Sequence, residues 1–200
     1  MKPTLLLHVC CATCAAYVLG FLREEYDVTA YYYNPNIYPD TEYQIRFFEV
    51  QKYCATHQIP FVQETPDRQV WFKKTAGHEK DPERGNRCTI CYEMRLRKTA
   101  AYAHAHGFAV FGTDLSISPH KDAKRLNEIG NSLAKEIGIK YLEADFKKQD
   151  GFKKATEVSC KENFYRQDYC GCIYSMRARQ AHDIANSKNK ITVRGTIHPC

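Results

Sequence analysis

Seven of the ten cysteines in this 200-residue chain fall into three tight groups: Cys10, Cys11 and Cys14; Cys88 and Cys91 in a CxxC; Cys170 and Cys172 in a CGC. The groups lie far apart along the chain, 74 residues from Cys14 to Cys88 and 79 from Cys91 to Cys170. Structural zinc favours two CxxC pairs about 15–20 residues apart in a small module, so this spacing suits it poorly. A dithiol redox pair needs two nearby cysteines with a lowered pKa; the CxxC or the CGC could supply one and leave five thiols unexplained. An iron–sulfur cluster takes four thiolates, and long separations are no obstacle when the fold gathers the loops. Four ligands with three thiols to spare point to a cluster with a further thiolate site beside it. Adjacent Cys10 and Cys11 point in different directions, so both can serve one cluster, or one can face a neighbouring metal or substrate; the spacing leaves this open. Of the other three, Cys54 reads as core, and Cys160 and Cys200 have no assignable role.

Cysteine makes up 5% of the chain, below the roughly 8–10% of a disulfide scaffold. The apolar runs at Thr4 to Val9 and Ala15 to Leu22 imitate an export signal, but a single Lys2 is followed by Pro3, and His8 and three cysteines interrupt the run. A buried strand entering a helix explains these residues better. No stretch reaches the roughly 18 apolar residues of a membrane span. The expectation is a cytoplasmic protein without a membrane partner, in a compartment where clustered thiols bind metal or catalyse.

The hydrophobic pattern predicts strands at Thr4 to Val9, Val28 to Tyr33, Phe61 to Gln63, Ala109 to Thr113 and Ile139 to Leu142. Helices are predicted from Cys11 to Leu22, Thr41 to His57, Asp67 to Thr75, Cys88 to His106 and Asp122 to Ile137. In the second of these, Tyr43, Phe47, Val50 and Cys54 recur at helical spacing while Glu42, Arg46, Glu49 and Lys52 take the other faces. The final quarter reads as helical around Cys170 to Cys172, with a strand near Ile191 to Val193. Alternating elements of this kind predict an α/β fold, a Rossmann-like parallel sheet with helices on both faces in a single domain over residues 1–200. Residues 146–200 form its mainly helical C-terminal part and carry the CGC. In such folds the site lies beyond the carboxyl ends of the strands, where Cys10, Cys11 and Cys14 fall.

The formal charge is +6, and the excess is uneven: residues 66–100 carry 9 basic and 5 acidic groups, and residues 146–200 carry 11 and 5. Both windows hold cysteine motifs, which suggests a polyanion such as RNA beside them. Arg84, Arg87, Arg95, Arg97 and Lys98 around the CxxC are candidate phosphate contacts, as are Lys147, Lys148, Lys153, Lys154 and Arg166 before the CGC. Tyr32, Tyr33, Tyr38 and Tyr169 are candidate stacking partners for a splayed base. Tyr32 and Tyr33 belong to one strand and alternate between its faces, so at most one of them points at substrate.

The stretches LLLHVCCATC, YYYNPNIYPDTEYQIR, RCTICYEMRLRKTA, FGTDLSISPHKD, DFKKQDG and YRQDYCGCIYS, in this order, resemble the cobalamin-independent epoxyqueuosine reductases. The likeness runs from residue 5 to about 175; Thr13 stands where the family often has proline. The resemblance implies a fold related to the PP-loop sheets of tRNA-thiolating ATPases, a 4Fe-4S cluster with an adjacent mononuclear iron, and no cobalamin. It implies the last step of queuosine synthesis, in which an epoxide on the modified base of a tRNA loses its oxygen. The substrate would be the anticodon arm of a tRNA with a GUN anticodon, and the electron donor is unidentified. By position, Cys10, Cys11, Cys88 and Cys91 would hold the cluster, Cys170 and Cys172 would be a redox pair or second-metal ligands, and Cys14 a second-iron ligand. Candidate proton donors are His8, Asp114 and His120, and Asn34 joins the candidate tRNA contacts.

Two rival functions remain. An ATP-using tRNA-modifying enzyme would cradle phosphate in a glycine-rich loop after the first strand, but that position reads HVCCATC, and no glycine occurs between Met1 and Leu19. A zinc- or thiol-containing RNA-binding module would be colourless and free of labile sulfide.

Overall fold

The computed structural model describes residues 1–187. Five parallel strands form one sheet: β1 (Thr4–His8), β2 (Asp27–Tyr32), β3 (Phe61–Gln63), β4 (Val110–Thr113) and β5 (Lys140–Tyr141), in the order β3-β2-β1-β4-β5. The helices are α1 (Ala12–Leu22), α2 (Asp40–Thr56), α3 (Arg68–Thr75), α4 (Asn86–Ala105), α5 (Ala123–Ile137), α6 (Gly151–Lys161) and α7 (Ile173–Ser187). The expected strand at Ile191 to Val193, and Cys200, lie outside the described residues.

β1 is a continuous apolar run because both of its faces are covered. Leu5 and Leu7 pack with α1, α2 and α6, while Leu6 packs with α4 and α5 on the other face. All three are fully buried, about 1.5–3 kcal/mol apiece. The same alternation separates Tyr32, in the first cluster, from Tyr31 and Tyr33 in the second.

Helix α5 shows how local chemistry sets element ends. The Asp122 side chain accepts a hydrogen bond from the Arg125 N–H at 3.1 Å, and Gly138 closes the helix at φ 78°. Gly130 lets it lie against β5, since a Cβ there would stand 2.3 Å from the Tyr141 ring.

Chain order runs outward from β1 to β3 and then resumes on the opposite side of β1 with β4. The carboxyl ends of β1 and β4 therefore flank the point where the order reverses, the place such sheets use for ligands. His8 pairs with Thr113 across it.

Two expectations need correction. The CGC is not helical: it forms a bend before α7, with Gly171 at φ 121°. Glu42 and Arg46 do not lie on solvated faces of α2 but are buried as an ion pair, 6% and 1% exposed, because Arg46 has backbone partners across the molecule.

Candidate metal centre

The first thiol group follows from where β1 stops. Cys10 leaves the strand, Cys11 caps α1, and Cys14 sits in its first turn. Their sulfurs lie within 4.8 Å of one another, with Cys10 and Cys11 3.6 Å apart. Three thiols at a helix N-terminus share the favourable end of its dipole for negative charge. Hydrogen bonds from Cys10 and Cys14 hold the Cys11 thiol well below the ordinary range against burial, and the contact with Cys11 pushes Cys10 well above it. The Gln167 amide donates to the Cys11 sulfur at 3.1 Å, and the Cys10 N–H donates to Asp114 at 3.1 Å.

Cys88 and Cys91 occupy the start of α4 and are 9% and 8% exposed. Burial pushes the Cys88 thiol up to about 11 and raises Cys91 as well. The Arg84 N–H donates to the Cys88 sulfur at 3.3 Å.

The CGC is pinned from outside. The Arg46 guanidinium donates to the carbonyls of Cys170 and Tyr169 at 3.1 and 3.3 Å, and the Tyr38 N–H donates to the Gly171 carbonyl at 2.8 Å. The Lys121 ammonium stands 2.9 Å from the Cys170 sulfur and 2.9 Å from Glu83. Burial opposes ionisation of Cys170, but the Lys121 charge prevails and brings its pKa below the ordinary value. Burial raises Cys172, whose sulfur contacts the Ser175 hydroxyl at 3.3 Å.

Two of the groups share a cavity, and the third stands within their field. A cavity of about 180 Å³ is lined by Cys10, Cys14 and Cys170 together with Arg46, Arg95 and Lys121. Cys91 lies in the field of Cys170 and Cys172, and Arg95 in that of Cys91, Cys10 and Cys170. Soft thiolates ringed by buried cations fit a metal–sulfur centre, since the cations offset the charge of the ligands. Cys54, fully buried on the apolar stripe of α2, stands apart as core. Cys160 lies on α6.

The candidate proton donors separate. His120 is exposed and lines the cavity. Asp114 is wholly buried at the carboxyl end of β4, where burial raises its pKa to about 8, and its second oxygen lacks a protein partner. His8 is fully buried and does not line the cavity; burial, then the Arg95 charge, keep it neutral.

Several expected RNA contacts are corrected. Tyr32 and Asn34 are fully buried and Arg95 is 2% exposed, so none presents a face to RNA. The Tyr32 hydroxyl donates to the Tyr43 carbonyl, and the Asn34 amide to the Val9 carbonyl. Arg87 is 4% exposed because its guanidinium gathers the carbonyls of His78, Glu79 and Asp81. Arg97 is exposed but paired with Glu93 and Glu136, and Lys98 lies 3.8 Å from Glu64. Tyr169 lines the cavity, and Arg84 reaches the carbonyls of Pro119 and His120 beside it. Arg46, Lys121 and Gln167 escaped the reading of the sequence as site residues, although each lies in a stretch that carries the family likeness.

A doubly wound parallel sheet with clustered thiols at its switch point defines an α/β protein with a thiol-rich metal or redox site. The family profile described as "Epoxyqueuosine reductase QueH" matches residues 5–178, and the chain belongs to that family of oxidoreductases. Relatives named epoxyqueuosine reductase QueH come from Histophilus somni, 42% identical, and Thermotoga maritima, 31% identical. The first match covers 94% of this chain and 79% of the relative, and the second 88% and 92%.

Two solved structures share the fold at 13% identity. A predicted subunit of tRNA methyltransferase from Methanocaldococcus jannaschii has a TM-score of 0.54, covering 92% of this chain and 88% of that one. The U34-tRNA thiolase NcsA from Methanococcus maripaludis, with its [4Fe-4S] cluster, has a TM-score of 0.52, covering 95% and 69%. No helix among the described residues is long and apolar enough to cross a membrane.

Proposed function

We propose that this chain performs the reaction of its family on tRNA: a two-electron deoxygenation of epoxyqueuosine to queuosine in the anticodon arm of tRNAs with a GUN anticodon, in the cytoplasm. The observation that carries the reading is the cavity bordered at once by Cys10, Cys14 and Cys170, from loops remote in sequence. Loss of the epoxide oxygen as water consumes two electrons and two protons. A 4Fe-4S cluster with an adjacent iron, when bound, supplies electrons singly and a Lewis acid for the epoxide oxygen.

Cys10, Cys11, Cys88 and Cys91 are the proposed cluster ligands, Cys14 a ligand of the second iron, and Cys170 with Cys172 the redox pair or further ligands. The convergence of Cys10 and Cys91 on Arg95 supports the cluster set. The short distances among Cys10, Cys11 and Cys14 support a second division, in which those three hold the cluster. His120 and Lys121, on the cavity wall, are the proposed hydrogen-bond donors to the departing oxygen. Arg84 and Tyr169, beside the cavity, are the proposed RNA contacts that remain accessible.

Anaerobic iron and acid-labile sulfide quantitation, followed by turnover of epoxide-bearing tRNA, tests the reading. Zinc without sulfide would overturn it. Cys14→Ala separates the ligand divisions: the first keeps the sulfide of a complete cluster and loses one iron, whereas the second loses cluster sulfide as well.

A further inference from the structure

Three buried cations line the cavity, but only two have a carboxylate partner. Arg46 pairs with Glu42 at 2.6 Å, and Lys121 with Glu83 at 2.9 Å. Arg95 is 2% exposed, and its hydrogen-bond partners are neutral: its Nε donates to His8 Nε2 at 3.2 Å and an Nη to the Asn34 carboxamide oxygen. His8 Nε2 also stands 3.2 Å from the Tyr33 carbonyl, but because arginine does not deprotonate in proteins, its contact with Arg95 requires the Nε2 lone pair and puts the proton on Nδ1, which donates to Thr113 Oγ1 at 3.0 Å. The tautomer is thereby set by the guanidinium. Neither partner neutralises its charge, and a buried charge without compensation is strongly destabilising.

The charges that act on it are those of the thiols, with the buried Asp114 carboxyl a smaller contributor. Arg95 lies one helical turn after Cys91, so the two share a face of α4, and it lines the cavity with Cys10 and Cys170. Resting on the proposed cluster, we infer that Arg95 is the charge that tunes the iron–sulfur centre: its fixed guanidinium, held by His8 and Asn34, favours the reduced, more negative state and raises the reduction potential. Arg95 is thus a positioning residue acting on the metal centre, distinct from the groups that meet substrate. His8 and Asn34 serve it by holding the guanidinium without cancelling its charge.

The test is the midpoint potential of the reconstituted full chain, read by redox titration of the cluster's visible absorption and electron paramagnetic resonance. Arg95→Gln should lower the potential enough to change the reduced-to-oxidised ratio at a given poise by about tenfold, about 59 mV for one electron. Arg95→Lys, which loses the fork but keeps the charge, should shift it much less. Asn34→Asp brings a carboxylate against an intact Arg95 and should lower the potential in the same direction; it decides the matter if the Arg95 variants do not fold. Unchanged potentials in Arg95→Gln and Asn34→Asp, with normal iron and sulfide, overturn this inference alone. Equal shifts in the Lys and Gln variants would assign Arg95 a purely structural role and overturn it too. Wild-type protein that takes up no iron and sulfide overturns the functional reading and this inference with it.

Discussion

The thiols after β1 and those of the CGC reach the same cavity by different physics. Cys10, Cys11 and Cys14 are gathered by consecutive backbone: a strand ends, a helix begins, and the sulfurs fall within 4.8 Å of each other. Cys170 and Cys172 sit in a bend whose regular hydrogen bonds are replaced by contacts from remote elements: Arg46 from α2, Lys121 from the loop before α5, and the Tyr38 N–H. The position of the first group is set by local backbone, although Gln167 and Asp114 also contact it. The second depends on buried cations more than 120 residues away in sequence in the case of Arg46, so its geometry is where perturbation is transmitted.

That contrast can be broken at graded cost. The largest effect belongs to the ligands: Cys88→Ala or Cys91→Ala should abolish turnover and release cluster iron and sulfide, measured anaerobically, whereas Cys54→Ala should retain both. Equal iron in all three would refute the ligand set. Arg46→Met should come next. Removing one member of a buried ion pair strands Glu42, which costs about 3–5 kcal/mol in denaturant unfolding, and it should expose Cys170 and Cys172 to alkylation, while Cys10 and Cys11, which lose the Arg46 charge that favours their thiolates, become no more reactive. Similar reactivity gains at Cys10 would erase the distinction between the two groups.

Gly171→Ala tests the bend itself. Its φ of 121° and a new Cβ 3.1 Å from Arg46 should cost about 1–3 kcal/mol, with iron content falling less than in the ligand variants. The smallest effect is expected at Arg97→Gln. Its pairs with Glu93 and Glu136 are on the surface, 36–53% exposed, and worth at most about 1 kcal/mol. The salt dependence of tRNA binding should stay unchanged there, whereas Arg84→Glu, next to the cavity, should weaken binding and flatten the slope. A flattened slope for Arg97→Gln would place the RNA on the outer face of α4.

The helical and strand periods were legible wherever one face of an element is buried. Tyr43, Phe47, Val50 and Cys54 form the buried stripe of α2 as their spacing predicted, and the alternation of Tyr32 and Tyr33 held. The charged positions were not legible in the same way. Glu42 and Arg46 satisfy the helical pattern of a solvated face and are nonetheless buried, and Arg87 and Arg95, counted as RNA contacts, serve the protein's own interior. Periodicity reports hydrophobicity at short range, whereas the burial of an arginine is decided by partners on other elements: carbonyls for Arg87, and a histidine and an asparagine for Arg95.

The sequence by itself determined the α/β alternation, the placing of the first thiols at the end of β1, and the separation of Cys54 from the reactive cysteines, because each follows from local pattern and spacing. Only the tertiary structure decided that Arg46, Arg95 and Lys121 surround the sulfurs, that the CGC is a pinned bend, and that His8 faces an arginine instead of the cavity. These are outcomes of long-range packing, in which a buried charge goes wherever the assembled fold offers it hydrogen bonds and opposite charge.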